Sequence, residues 1–205
     1  MSRMEGTDRT APARSLTRAT FLRGCGAVGL SVPFAAKLAL PAAAAAQKAA
    51  DMEALNTLLR LEYVLVAFFE TAIDHLDLAP PKRRLAEATS DDDQSHVRGL
   101  KNLIRDHGAK PADQPAVLFE SLDDLESFLD TAVELKDLSV SAYAGALGVV
   151  EPRVVFGSLA SILQIDGRHA AHMRLAAGLR PAPTAFANQL TMEQVRRKLK
   201  RFVEP

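Results

Sequence analysis

"HGAKPADQPAVLFE", residues 107–120, is the stretch that decides the fold. It holds Gly108, Pro111 and Pro115 and lacks the helical recurrence of apolar residues seen on either side. Upstream, Leu55, Leu58, Leu59, Leu65, Val66, Phe69 and Ile73 mark a helix over about 50–76, and a second over about 81–107 stops at Gly108. Downstream, a third helix is expected over about 121–147 and a fourth, opened by Glu151-Pro152, runs to Gly178. The joints at Pro80-Pro81 and Glu151-Pro152 are short, so the helices they connect must lie antiparallel. The middle joint is different. Helices of about 27 residues span ~40 Å, and the roughly 13 residues of the middle joint reach ~43–47 Å when extended. That is enough to run the length of a bundle. The expectation is an all-α chain of two hairpins joined by one long crossover. Beyond Pro181 and Pro183 the tail "TMEQVRRKLKRFVEP" places Thr191 and Gln194 as a capping box, so it ends in a short helix.

The chain has 205 residues, 48% of them apolar, enough for one domain with a substantial core, and its formal net charge of zero gives no reason to expect a nucleic-acid partner. Residues 1–46 stand apart. Arg3, Arg9, Arg14, Arg18, Arg23 and Lys37 face only Glu5 and Asp8, and "GCGAVGLSVPFAAKLALPAAAAAQ" follows as an apolar run ending in small residues. This order reads as an export signal cut near Ala46–Gln47. "TRATFLR" is similar to a twin-arginine motif with Ala19 in place of the second arginine. Lys37 and Pro33 interrupt the apolar run, so no membrane anchor is expected after processing. Cys25, the single cysteine, falls inside the signal, which leaves the mature, mildly acidic chain with no disulfide and no thiolate ligand. The organisation expected is a signal over 1–46, a bundle over 47–180 and a tail over 181–205.

The chemistry lies in polar residues at core positions. Glu62 sits inside the first apolar stripe, Asp93 and His96 share a face with Leu85, Leu100 and Leu103, and Asp166 and His169 share one with Leu159, Ile162 and Met173. On the third helix the stripe reads Leu125, Leu129, Val133, Lys136, Val140 and Tyr143, which leaves Glu134 outside and puts a lysine inside. Counting from each hairpin turn, the two polar positions lie 12 to 14 residues away, or ~18–21 Å. Glu62, Asp93, His96, Lys136, Asp166 and His169 should therefore meet at one level. Two plainer readings compete: Asp93 as the capping-box partner of Ser90, and either histidine as an ordinary core residue. His172, Glu70, His75, His107 and the acidic run at 91–93 read as solvated faces and helix ends, Asp93 alone being drawn inward.

"LNTLLRLEYVLVAFFETAI", "DDDQSHV", "DLSVSAYAGAL" and "IDGRHAAHMR" resemble the four helices of the exported ferritin-like family that includes the desiccation-related proteins. The resemblance covers nearly all of residues 50–205. It implies a ferritin-like four-helix bundle of the di-iron carboxylate kind, with a Glu from each of two helices and a Glu-x-x-His from each of the others. Carried over by position, the metal ligands are Glu62, Asp93, His96, Asp166 and His169, and the remaining Glu falls on Lys136. Aspartate thus replaces glutamate twice, and an ammonium with no lone pair to donate replaces a carboxylate. Three carboxylates and one ammonium leave −2, balanced by one divalent ion with neutral histidines, or by two imidazolium ions and no metal.

Two functions follow. One is an exported bundle with a degenerate site for at most one divalent ion, iron or manganese by ligand type, with redox chemistry in stress protection as its role. The other is a metal-free bundle, structural, protective or partner-binding, whose Lys136–carboxylate network takes the metal's place.

Overall fold

In the computed structural model of the chain, the residues described are 34–119, 122–151 and 153–203. The chain divides into two units, Met1–Pro41 and Ala42–Pro205, and the bundle is the second. Five helices follow one another: α1 (Phe34–His75), α2 (Pro80–Asp106), α3 (Leu125–Leu147), α4 (Arg153–Ala176) and α5 (Met192–Leu199). The fold is all-α, with α1–α2 and α3–α4 as hairpins and residues 107–124 as the crossover. The only pairing of strand type among the described residues is an isolated antiparallel bridge between Val117 and Val203.

Local chemistry sets the helix ends. Pro80 and Pro81 open α2, where a missing N–H costs nothing. Because α2 starts there, Ser90 lies in its interior, and the capping reading of Asp93 fails. Gly108 closes α2 at φ 77° and Gly178 follows α4 at φ 73°, the left-handed backbone that glycine adopts without strain. Two boundaries differ from expectation. Helix α3 starts at Leu125 rather than near 121, because Asp124 and Ser127 form a capping box that fixes the first turn. Helix α1 already runs through residues 34–49, ahead of the start expected near 50, since the alanines at 42–46 propagate a helix readily. The export signal expected over 1–46 lies outside the described residues as far as position 33. Among the described residues no helix is long and apolar enough to cross a membrane.

The core is a continuous set of leucines, alanines and aromatics from α1 to α5. At one end Phe68 packs edge-on to Phe69 and Phe119 and stacks on Phe128 at 5.6 Å between centroids, joining α1, the crossover and α3. The crossover is also held polar-to-polar. Asn56 of α1 accepts from the Ala112 N–H at 2.6 Å and donates to the Lys110 carbonyl.

The tail docks. Thr191 and Gln194 make the expected capping box, and α5 buries Val195 and Leu199. Arg201 grips Glu134 with two hydrogen bonds of 2.7 Å, Arg196 reaches Glu53 at 2.8 Å, and the Leu190 N–H donates to the Ser141 carbonyl on α3. This approach requires a glycine on α3: a methyl group at Gly145 would overlap the Leu190 carbonyl. Gly145→Ala should therefore lower the melting temperature and expose residues 179–191 to limited proteolysis. On propensity alone the change would stabilise the helix by about 1 kcal/mol, so the sign of the shift is the test.

Candidate metal centre

Each bundle helix sends polar side chains to one level. Helix α1 supplies Glu62, α2 supplies Asp93 and His96, α3 supplies Lys136, and α4 supplies Asp166 and His169. Glu62, Asp93, Lys136 and Asp166 are wholly buried, while His96 and His169 retain 8% and 7% exposure. The i,i+3 spacing on α2 and α4 puts acid and imidazole one above the other on the inward face. His172, one turn on from His169, faces solvent.

Lys136 is the hub. Its ammonium donates to Asp93 Oδ1 at 2.7 Å and to Asp166 Oδ1 at 2.8 Å. His96 Nδ1 stands 3.6 Å from Glu62 Oε2, 3.6 Å from Asp93 Oδ1 and 3.9 Å from Asp166 Oδ1, which are ion-pair rather than hydrogen-bond distances. His169 Nδ1 lies 3.8 Å from Asp166 Oδ1, and its Nε2 lies 3.2 Å from Asp92 Oδ2 at the rim.

Three further residues belong to the cluster and were not anticipated as members. Tyr143 donates to Glu62 Oε1 at 2.6 Å, and Ser139 donates to Asp166 Oδ2. Both follow Lys136 at i+3 and i+7, a spacing legible in "KDLSVSAY" that apolar patterning alone does not weigh. Asp92 was grouped with the solvated acidic run; it is exposed, yet it orients His169. The α3 stripe is also rotated slightly from the one expected. Phe128, Ala132, Leu135, Ser139, Ala142 and Ala146 are buried, whereas Leu125 is exposed and Val140 only partly covered. Small side chains on that face let α3 approach its neighbours, which brings Lys136 and Ser139 inward together.

Burial and charge oppose each other at every group. Burial, reinforced by the Asp166 charge, pushes Glu62 up to about 7. Burial alone would lower His96, but the carboxylates of Asp93 and Glu62 outweigh it and hold the imidazole at about 10. Lys136 is likewise lowered by burial and raised further by Asp166 and Asp93, so its ammonium stays charged. Burial would raise Asp166, yet the Lys136 charge holds it well below the usual carboxylate range. Burial also raises the Tyr143 phenol, which remains a donor to Glu62.

Four buried atoms of the cluster lack any hydrogen-bond partner: Glu62 Oε2, Asp93 Oδ2, His96 Nδ1 and His169 Nδ1. Carboxylate oxygens and imidazole nitrogens left without partners in a dry interior are a donor set suited to a divalent cation. Two triads have ligand atoms mutually within 4.8 Å, Glu62–His96–Asp166 and Asp93–Asp166–His169. The triads share Asp166. Lys136 occupies both carboxylates of the second triad but only one of the first.

A ferritin-like domain matches residues 50–179, more than half of the chain, and the protein belongs to that family. Among solved structures it is similar in fold to a conserved hypothetical protein from Mycobacterium tuberculosis, at 14% identity and TM-score 0.60, covering 68% of this chain and 99% of that one. It is similar also to a ferritin-like di-iron carboxylate protein from Bacillus anthracis, at 15% identity and TM-score 0.59, covering 64% of this chain and 97% of that one. No curated protein matches it in sequence.

The hub role of Lys136 has a measurable consequence. Lys136→Met keeps much of the volume and strips Asp93 Oδ1 and Asp166 Oδ1 of their shared donor. Urea unfolding in the presence of a chelator should show a loss of about 3–5 kcal/mol, the usual result of leaving one side of a buried ion pair uncompensated. An unchanged midpoint would mean that Lys136 carries no structural role. Tyr143→Phe, which strands only Glu62 Oε1, should cost less, about 1–3 kcal/mol.

Proposed function

We propose that this protein is an exported ferritin-like bundle that binds one divalent transition-metal ion per chain, iron or manganese, for redox chemistry in stress protection. Glu62, His96 and Asp166 would hold the ion, His96 giving up its ring proton as the ion displaces it, with Asp93 and His169 bordering the site. The observation that carries this reading is the position of Lys136. Its ammonium is bonded to both carboxylates of the Asp93–Asp166–His169 triad, which leaves the other triad as the better donor set. Two carboxylates and an imidazole suit iron, manganese or zinc, and such an ion would supply Lewis acidity and, for iron or manganese, a redox couple.

The chain's own residues do the rest. Tyr143 holds Glu62 by one oxygen and leaves Oε2 free to ligate, while Ser139 fixes Asp166. Asp92 engages His169 Nε2 and leaves Nδ1 facing the cluster, the outer contact that commonly orients a ligating imidazole. An ion on Asp166 already lies near the Lys136 ammonium, and a second ion on the Lys136-bonded triad would add that repulsion again, several kcal/mol for a dication at ~4 Å even at an effective dielectric near 20, together with repulsion from the first ion. This argues against two-metal oxidation chemistry. Export rests on the basic, apolar and small-residue order of residues 1–46.

A second reading is supported by the same hub. Lys136 bridges Asp93 and Asp166 while His96 approaches all three carboxylates, so two protein cations can stand in for the ion. The bundle would then be a metal-free structural or partner-binding protein.

Stoichiometry separates the readings. Anaerobic Fe(II) or Mn(II) titration followed by calorimetry and elemental analysis should give one ion per chain. Lys136→Glu restores a fourth carboxylate and should raise capacity toward two. Two ions in the native protein would overturn the single-site reading, and none even in Lys136→Glu would favour the metal-free bundle. Export is checked separately: the mature N-terminus should fall at or near Gln47.

A further inference from the structure

The cluster is sealed on most sides. Glu62, Asp93, Lys136, Ser139, Tyr143 and Asp166 have no exposure, and residual exposure is confined to the two histidines. The edge at His169 is covered by Asp92, 3.2 Å from its Nε2. The edge at His96 is not covered. A groove of about 460 Å³ runs between α2 and α4, with His96 in its wall beside Ser95, Gly99, Gly157, Ser161 and Ile162. Two glycines, one on each helix, keep it open. A Cβ at Gly99 or at Gly157 would meet no atom within 4 Å, so any larger side chain there would project into empty space.

Resting on the single-metal reading, we propose that this α2–α4 groove is the port of the buried cluster, through which a divalent ion and any small neutral ligand of that ion pass from solvent to His96. The wall is mainly apolar, from Leu100, Leu103 and Ile162, with serine hydroxyls among them, and it bears no carboxylate, ammonium or guanidinium. It therefore has no anionic group to trap a hydrated cation on the way, and the nearest cation, Arg98, is tied to the Ser95 hydroxyl at 2.8 Å. The first formal negative charges met are those behind His96, where Glu62 Oε2 and Asp93 Oδ1 lie 3.6 Å from Nδ1. Neutral wall and anionic end together make a passage that conducts inward and binds only at its floor. Both glycines sit in helices of four or more turns. Evolution of a stable helix alone would disfavour them, since glycine is a poorer helix former than alanine.

The test fills the groove without touching the cluster. Gly99→Leu/Gly157→Leu improves helix propensity at both sites and meets no neighbour within 4 Å, so the fold should hold. Gly167→Leu, also on α4 with no atom within 4 Å of a Cβ but outside the groove, serves as control. Stopped-flow uptake of Co(II), followed by its d–d absorption, and release of Co(II) to a chelator are measured for each protein. In the double variant both rates should fall by about tenfold or more, a barrier raised by about 1.4 kcal/mol, with stoichiometry and Kd unchanged. Obstruction acts on the passage, not on the end states. In the metal-free protein, the paramagnetic effect of dissolved oxygen on the His96 ring protons, read by NMR, should be strong in the native chain and in Gly167→Leu and lost in the double variant.

Native rates together with native oxygen relaxation in the double variant would overturn the port. No Co(II) uptake by the native protein, with oxygen relaxation lost in the double variant, would remove the metal reading and leave the port standing.

Discussion

A lysine ammonium held wholly inside a helical bundle sets the terms for everything around it. Taking such an ion out of water costs several kcal/mol, and the cost is offset only when its N–H groups find charged acceptors in good geometry. Asp93 and Asp166 provide them from two different helices. Those carboxylates would be as costly as the lysine if left alone, so α2, α3 and α4 are bound to one register at this level. Ser139 and Tyr143 extend the same logic outward, satisfying Asp166 Oδ2 and one of the two oxygens of Glu62. A slip of α3 by one residue would expose every one of these groups to apolar walls. The polar level thus fixes alignment more than it adds stability, because an apolar core of equal volume would do as well energetically.

The bundle was legible because its signals are long-range and redundant. Four apolar stripes, two short joints and one long one leave little choice of topology, and the depth count from the hairpin turns placed Glu62, Asp93, His96, Lys136, Asp166 and His169 together. What escaped was governed by short-range competition. The start of α3 was set by one aspartate and one serine, Asp124 and Ser127, against the pull of the apolar pattern. Ser139 was hidden because a serine on a helix reads as neutral, and only its place one turn beyond Lys136 gives it meaning. Asp92 lay in an acidic run in which neighbouring residues look alike. Helical phase separates them, with Asp93 turned inward and Asp92 at the rim. The seating of α5 was beyond reach for a different reason. It depends on a backbone-to-backbone approach at Gly145, and a missing side chain carries no pattern.

The departures from the ligand pattern that the resemblance implies form a coherent set. Where the resemblance expects a fourth carboxylate, Lys136 supplies an ammonium instead and bonds one oxygen each of Asp93 and Asp166. Aspartate in place of glutamate on α2 and α4 shortens both arms, and shortened arms suit contact with a fixed ammonium on the neighbouring helix. The lysine is accompanied by a partial polar network, with Tyr143, Ser139 and Asp92 holding Glu62, Asp166 and His169 by one atom each while Glu62 Oε2, Asp93 Oδ2, His96 Nδ1 and His169 Nδ1 stay unpartnered. The ferritin-like scaffold tolerates this because its helices supply the level and the side chains supply the charge, and the second can change while the first stays.

The crossover is fastened by residues far along the chain. Val117 pairs with Val203, and the Leu118 N–H donates to the Phe202 carbonyl. Phe119 meets both Phe68 from α1 and Phe202 from beyond α5, so one aromatic contact set joins residues more than a hundred positions apart. During vectorial synthesis the first hairpin can collapse early, yet the strap across the bundle stays unlatched until residues 202 and 203 have emerged. Contacts of such separation form late and slow the final step of folding. The crossover end of the bundle is therefore the last part to close, after both hairpins have already formed.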